Sequence, residues 1–241
     1  ILMYYCQLQS KLFKGYYLSN LLKNEKSPYL KQHENNPVHW HPWNKKALEK
    51  SKQSKKPIFL SVGYASCHWC HVMAHESFED KNTAAVMNEK FINIKVDREE
   101  RPDLDNIFQK SLAILTGTPG GWPLSMFLDE NGVPFTGGTY FPPQEMYGRP
   151  SFTNILNQVS DFYEKNRDKI IQQAAQLKNI FQDGQKKSSV VGQNLAPHLE
   201  AMLKYIDFEW GGFHGSPKFP QFYVFESFLH FYKKNKNKKF Y

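Results

Sequence analysis

The chain has no long apolar run, few arginines and few cysteines, and each shortage excludes a class of protein. No stretch approaches the roughly 18 consecutive apolar residues of a membrane-spanning helix, so we expect no membrane segment. Only four of the 31 basic residues are arginines, and the densest basic run, at 233–239, is typical of a solvated tail. The net charge of +8 therefore does not predict nucleic-acid binding. Three cysteines are too few for the disulfide framework of a small secreted protein.

The first twenty residues also lack the pattern of a secretory signal, because no basic segment precedes a clean apolar stretch. We therefore expect a cytoplasmic protein. What the chain does contain is apolar and aromatic residues, at 40% and 15% of its 241 residues. This supply supports a sizeable core, and the length predicts one full domain plus part of a second.

Strand and helix patterns alternate through the first two thirds of the chain. The predicted elements are, in order, a helix at 44–55, a strand at 57–63, a helix at 83–91, a strand at 91–97, a helix at 103–115, a strand at 123–128, an antiparallel partner beginning at 133, and a helix or helix pair at 149–181. Asn44 stands at the N-cap position of the first of these helices. The order predicts an α/β fold with a mixed sheet flanked by helices.

Composition divides the chain into four segments. They are an N-terminal extension at 1–22, the α/β domain at 23–182, a polar, glycine-punctuated linker at 183–194 and a helical hairpin at 195–241. Two helices alone cannot bury both of their apolar faces. We therefore expect the hairpin to be a truncated α-helical segment of an incomplete second domain.

The chemistry of the chain is concentrated in Cys67-His68-Trp69-Cys70, which directly follows the first predicted strand. Reactive groups of α/β sheets are commonly mounted at the carboxyl ends of strands. At the start of the following helix, backbone N–H groups and the helix dipole stabilise a thiolate at Cys67. Cys70 lies one turn later, where it can attack a mixed disulfide. The motif thus favours a redox dithiol in which Cys67 attacks and Cys70 resolves.

Two other interpretations share the same residues. Cys67, Cys70 and His71 also fit the attachment pattern of a c-type haem, but the chain has no export signal and its motif follows a buried strand. A zinc site could use the two cysteines with neighbouring histidines, although no second ligand pair lies at finger spacing. We expect neither a metal nor another cofactor, and a metal-binding domain stays open as an alternative.

Five segments resemble, in matching order, the spermatogenesis-associated, thioredoxin-like protein family. They are "EKSPYLKQHENNPVHWHPW", "KPIFLSVGYASCHWCHVMAHESFED", "KVDREERPDLD", "GGWPLSMFL" and "GGTYFPP". The resemblance covers about residues 20–182 and implies a thioredoxin-like domain. A later segment, "WGGFHGSPKFPQ", resembles the start of that family's second domain, a six-hairpin, glycosidase-like (α/α)6 barrel similar to N-acylglucosamine epimerases.

The resemblance also implies roles for single residues. Cys67 matches the solvent-facing nucleophile of the family, Cys70 its buried partner, and Pro123 the cis-proline that faces the dithiol. Ser61 stands where thioredoxins proper carry a buried aspartate, a departure that argues against efficient thioredoxin-like reductase turnover.

His68, inside the motif, should lower the pKa of Cys67 and so raise the reduction potential to roughly −180 to −230 mV.

Together these features predict a thiol–disulfide oxidoreductase whose substrate is a protein or small-molecule thiol or disulfide. Trp69, Trp122 and Trp40 are the candidates for lining a substrate groove. The competing prediction is a non-catalytic interaction module attached to a carbohydrate-active, epimerase-like barrel. Nothing in the sequence indicates an oligomeric state.

Overall fold

The computed structural model describes residues 20–146, 148–184, 196–216, 218, 221–236 and 238. The chain divides into two compact units, Ile1–Gly184 and Gln185–Tyr241. Most of the predicted N-terminal extension and most of the predicted linker lie outside the described residues, so these two segments stay predictions.

The first unit contains five strands and seven α-helices among its described residues. The strands are β1 (Trp40–Pro42), β2 (Ile58–Gly63), β3 (Ile92–Asp97), β4 (Leu124–Leu128) and β5 (Pro134–Gly138). The helices are α1 (Pro28–Gln32), α2 (Lys45–Ser54), α3 (His68–Met73), α4 (Lys81–Lys90), α5 (Pro102–Thr116), α6 (Phe152–Lys165) and α7 (Arg167–Gly184).

The strands form one sheet in the order β1-β3-β2-β4-β5. β1 and β2 run parallel to β3, whereas β4 runs antiparallel to both β2 and β5. This is the thioredoxin arrangement, and the prediction of a thioredoxin-like mixed sheet flanked by helices is confirmed. The short strand β1 was not predicted, because proline interrupts its sequence. Pro42 is tolerated because β1 is an edge strand.

Four helices of the first unit, α1, α2, α4 and α6, begin where a polar side chain accepts a backbone N–H hydrogen bond. Asn44 caps α2, as the sequence predicts, and Asp80 and Ser151 cap α4 and α6 in the same way. Ser27 caps α1, whose first residue is a proline that has no N–H to satisfy. Each such cap contributes about 1 kcal/mol to the stability of its helix.

The two faces of the sheet bury different side chains. Three aliphatic side chains of β2 enter one cluster: Ile58, Leu60 and Val62. Phe59 enters an aromatic cluster on the opposite face. Because side chains alternate along a strand, Ser61 and Gly63 share the face of Phe59. Cys67 and Cys70 pack into the same aromatic cluster, so this face of the sheet forms the floor beneath the motif.

The second unit contains helices α8 (Ala196–Leu203) and α9 (Phe222–Asn235) among its described residues. The first ends at Leu203, and in the segment after it the Asp207 carboxylate accepts the backbone N–H groups of Glu209 and Trp210. A small apolar cluster joins the two helices: Leu199, Ile206, Val224 and Phe228. The predicted α-helical segment after the α/β domain is confirmed.

Candidate active site

The cysteine motif begins α3 at the carboxyl end of β2, the central strand of the sheet. Cys67 is the N-cap of this helix, and its Sγ accepts the backbone N–H of Cys70 at 3.2 Å. The two sulfur atoms are joined in a disulfide, with the Cα atoms 5.2 Å apart. The structure thus brings together the two residues that the sequence predicts as nucleophile and resolving thiol, in their oxidised state.

The two cysteines differ little in exposure. Cys67 is 3% exposed and Cys70 is 1% exposed, so in the oxidised state neither is the solvent-facing residue that the resemblance implies for Cys67. The loop that leads to them is held by His71, whose Nε2–H donates to the Ala65 carbonyl oxygen at 2.8 Å. His71, considered for a haem or zinc site from the sequence, anchors this loop.

The pairing of β4 with β2 places Trp122 and Pro123 next to the cysteine motif. The Trp122–Pro123 peptide bond is cis, as the resemblance implies, and it immediately precedes β4, the neighbour of β2. The Trp122 ring lies edge-on to Tyr64, with centroids 5.8 Å apart, in the loop before Cys67. Its Nε1–H donates to Asp105 at 2.9 Å, which fixes the indole in place.

Trp69 lines an open groove beside the cysteine pair. Its side chain is 54% exposed, and its ring centroid lies 5.2 Å from that of Tyr140. The groove has a volume of about 610 Å³ and is lined by Trp69, Glu76, Tyr140, Pro142, Met146 and Arg149. The Tyr140 hydroxyl donates to Glu76, and burial together with this carboxylate raises the pKa of Tyr140 to about 12. The groove combines an aromatic wall with one acidic and one basic side chain.

Trp40 does not line this groove, so its prediction as a groove residue is corrected. It is 0% exposed and packs edge-on to Phe78 at 5.1 Å between ring centroids. The pairing of β1 with β3 draws Trp40 into the aromatic core, a consequence of tertiary structure that the local sequence does not reveal. His68 lies at the surface, with its ring 5.9 Å from that of Trp69.

A buried lysine lies beneath the motif, and sequence reasoning missed it. Lys95 is 1% exposed, and its Nζ donates to Ser61 Oγ at 2.9 Å. Three aromatic rings surround the amine, those of Tyr29, Trp40 and Phe78, at 4.5 to 5.1 Å from Nζ to the ring centroids. Burial lowers the pKa of Lys95 well below its usual value. The available signal was a lysine at the centre of a strand otherwise predicted to be buried.

The position of Ser61 now has a structural explanation. Its neighbour across β2 and β3 is Lys95, and the hydroxyl accepts the hydrogen bond of the amine. The buried aspartate that thioredoxins carry here is thus replaced by a neutral acceptor, and the group that donates to it is a lysine amine.

Comparison with known proteins places the chain in a family. The family model Thioredox_DsbH, described as a protein of unknown function, DUF255, matches residues 19–182. The chain belongs to this family. The resemblance drawn from the sequence motifs is therefore confirmed, and the matched range contains the cysteine pair, the cis-proline and the buried lysine.

Curated relatives of the chain are much longer proteins. Spermatogenesis-associated protein 20 of Homo sapiens is 39% identical over 209 residues, which are 83% of this chain and 26% of that protein. The uncharacterized protein B0495.5 of Caenorhabditis elegans is 44% identical over 207 residues, or 84% of this chain and 28% of its own length. The chain spans about a quarter of the relatives that it matches.

Solved structures give weaker matches to the chain. A structure titled DsbH Oxidoreductase is 20% identical, covers 54% of this chain and 86% of that chain, and has a TM-score of 0.39. A thioredoxin from Thermus thermophilus is also 20% identical, covers 51% of this chain and 87% of that chain, and has a TM-score of 0.34.

The described residues hold neither a cluster of metal ligands nor a membrane-spanning helix. Across the described parts of both units, no three His, Cys, Asp or Glu side chains converge as the ligands of a metal ion would. In the same parts of the chain, no helix combines the length and apolar character needed to cross a membrane.

Proposed function

We propose that the thioredoxin-like domain is a thiol–disulfide oxidoreductase, with Cys67 as the attacking thiol and Cys70 as the resolving thiol. The observation that carries the proposal is the Cys67–Cys70 disulfide across the first turn of α3, mounted at the end of the central strand. A pair in this position can open and close without rearranging the sheet.

The proposed reaction conserves atoms and electrons. The Cys67 thiolate attacks a substrate disulfide, forms a mixed disulfide and releases one substrate thiolate. Cys70 loses its proton and attacks Cys67 Sγ, which releases the second substrate thiolate and closes the Cys67–Cys70 bond. Two electrons pass to the substrate, and the two protons of the dithiol leave with the released thiols. The reverse sequence oxidises a substrate dithiol.

We assign the groove beside Trp69 to the substrate. Trp69 and Tyr140 offer an aromatic wall, and Glu76 and Arg149 offer groups of opposite charge, a combination that suits a peptide segment next to a disulfide. On the β4 side, Trp122 and Pro123 limit how a substrate can approach the cysteine pair. Trp40, which is buried, has no part in the proposed groove.

The low exposure of both sulfur atoms favours one alternative, a non-catalytic module in which the disulfide serves only the fold. The start of a carbohydrate-active barrel at 195–241, and with it the activity of any longer protein, stays a prediction from the resemblance.

A trapping experiment separates the two functions. In a background with Cys6→Ser, the Cys70→Ser variant should react with a peptide that contains a disulfide. A mixed disulfide between Cys67 and one cysteine of that peptide should accumulate and be seen by mass spectrometry. Cys67→Ser is the matched control and should form no adduct. If Cys70→Ser stays unmodified while the reduced parent fails to cleave the peptide, the non-catalytic module is the better account.

A further inference from the structure

The floor beneath the cysteine pair contains a polar group that the exchange reaction described above does not use. This group is the hydroxyl of Tyr29, on helix α1. Tyr29 is 0% exposed, and its Oη makes no hydrogen bond with any of the described residues. A buried hydroxyl without a partner destabilises the state that contains it, so its place in the fold calls for an explanation.

Gly63 shows where this hydroxyl lies. A Cβ atom built on Gly63 would collide both with Tyr29 Oη and with Cys70 Sγ, the latter at 2.7 Å. The hydroxyl and the sulfur therefore lie against the same Cα atom, at the last residue of β2. Glycine at this position lets the two atoms approach each other.

Apart from His33 Nε2, the neighbouring polar groups have partners of their own. Lys95 donates to Ser61, and Ser27 Oγ donates to Asp97 Oδ2 at 2.6 Å. His33 packs edge-on to the Tyr29 ring at 5.0 Å between centroids, and its Nδ1 is engaged with Asn36. Of these described neighbours, Tyr29 alone has a hydroxyl that lies beside Cys70 Sγ and makes no hydrogen bond.

We propose that the Tyr29 hydroxyl donates a hydrogen bond to Cys70 Sγ when the disulfide is reduced, and thereby stabilises the reduced dithiol. The proposal rests on the redox function proposed above. In the oxidised state, Cys70 Sγ is a disulfide sulfur and a weak acceptor, which explains why the hydroxyl has no partner there. After reduction, a thiol or thiolate sulfur offers a better acceptor at the same place.

The tyrosine keeps its own proton throughout. Burial, and secondarily the negative charge of Asp97, raise the pKa of Tyr29 well above its usual value, so the group is a donor and not an acid. Reduction by two glutathione molecules yields the dithiol and one glutathione disulfide, and the hydroxyl contributes only the hydrogen bond. Tyr29 thus sets the balance between oxidised and reduced chain without a covalent step.

The test is equilibration of the Cys6→Ser chain with glutathione buffers, with and without Tyr29→Phe. Loss of one hydrogen bond to the reduced state should lower the ratio of reduced to oxidised chain about fivefold, which corresponds to a potential about 20 mV more negative. In the oxidised state, Tyr29→Phe removes an unsatisfied hydroxyl, so the urea midpoint of the oxidised chain should stay the same or rise. A merely structural tyrosine would lower that midpoint and leave the potential unchanged.

Tyr163→Phe is the matched control. Tyr163 is likewise a buried tyrosine, but its hydroxyl donates to Glu130. Its removal should lower the urea midpoint and leave the potential unchanged. If Tyr29→Phe fails to fold, 3-fluorotyrosine at position 29 replaces it as the variant. This side chain keeps the hydroxyl and donates more strongly, so the reduced fraction should rise.

The outcomes separate this inference from the function on which it rests. If the parent equilibrates with glutathione and neither variant at position 29 shifts the ratio, the role of Tyr29 is refuted and the oxidoreductase proposal stands. If the parent itself does not equilibrate, both proposals are wrong.

Discussion

Acidification should destabilise the thioredoxin-like domain through one buried histidine, His33. This residue is 2% exposed, and its Nδ1 lies 3.0 Å from Asn36 Oδ1. Asn36 Oδ1 also accepts the indole N–H of Trp40, so it is an acceptor and His33 carries its proton on Nδ1. The other ring nitrogen, Nε2, is buried without a partner among the described residues. The folded site is therefore built for a neutral imidazole.

The size of the effect follows from linkage. Burial, and after it the charge of Lys95, lower the pKa of His33 to about 2 in the folded chain. The unfolded chain binds this proton below a pH of about 6.5, whereas the folded chain does not, so stability falls as the pH falls. Between pH 7 and pH 5, His33 alone should lower the free energy of unfolding by about 2 kcal/mol.

The variant His33→Phe isolates this contribution. Phenylalanine can keep the edge-on contacts with Tyr29 and Phe78, and Asn36 keeps its bond from Trp40. Urea unfolding of the oxidised chain at pH 7 and pH 5, followed by tryptophan fluorescence, gives the loss of stability for parent and variant. The loss should be smaller in the variant by about 2 kcal/mol, whatever its stability at pH 7.

Tyr29→Phe is the control in the same layer, because the raised pKa of this tyrosine keeps it neutral across the range. Its loss of stability between the two pH values should equal that of the parent. Equal losses for the parent and His33→Phe would refute the reasoning, since they would show that His33 is not held neutral by the fold.

Three further predictions concern the buried lysine, the groove and the boundary between the units. Lys95→Met should raise the free energy of unfolding at pH 7 by about 1 kcal/mol or more, because burial lowers the pKa of this amine while the unfolded chain keeps it protonated. The gain should shrink as the pH rises toward 10, and a destabilised Lys95→Met in urea titrations would contradict it. Trp69→Ala should raise the KM for a peptide disulfide about threefold to tenfold and leave the rate with glutathione nearly unchanged, because glutathione is too small to fill the groove; equal effects on both substrates would argue against the groove. Limited proteolysis should cut first within 183–194, whose polar, glycine-punctuated sequence is typical of a linker, and early cleavage within 57–128 would show that the boundary is misplaced.

The sheet could be predicted from the sequence, because β2 and β4 are almost continuous apolar runs and β3 alternates apolar with polar residues. β2, β3 and β4 are buried along their whole length. A short segment of this kind, bounded by turn residues, can be recognised as a strand without knowing which strands it pairs with. The cap at Asn44 could be predicted because it is local: the hydrogen bond that its side chain accepts comes from the backbone N–H of Ala47, three residues later.

The floor of the candidate site could not be predicted from the sequence, because it depends on contacts between distant segments. Trp40 is buried by the pairing of β1 with β3, about 50 residues away, and was wrongly assigned to the groove. Lys95 meets Ser61 only through the register of β2 and β3, and Tyr29 meets Cys70 only over Gly63. Local patterns predict which strands exist, but the partners of a buried polar side chain depend on the assembled sheet.

The measurement that tests the central claim most directly is the reduction potential of the Cys67–Cys70 pair in glutathione buffers. His68 at the start of α3 and the N–H groups of that helix turn should stabilise the Cys67 thiolate, and with it the reduced form. The account predicts reversible equilibration at roughly −180 to −230 mV, and a shift to more negative values in His68→Ala. A pair that does not exchange with glutathione would contradict the oxidoreductase function, and a potential at or below about −270 mV would contradict the explanation of the motif.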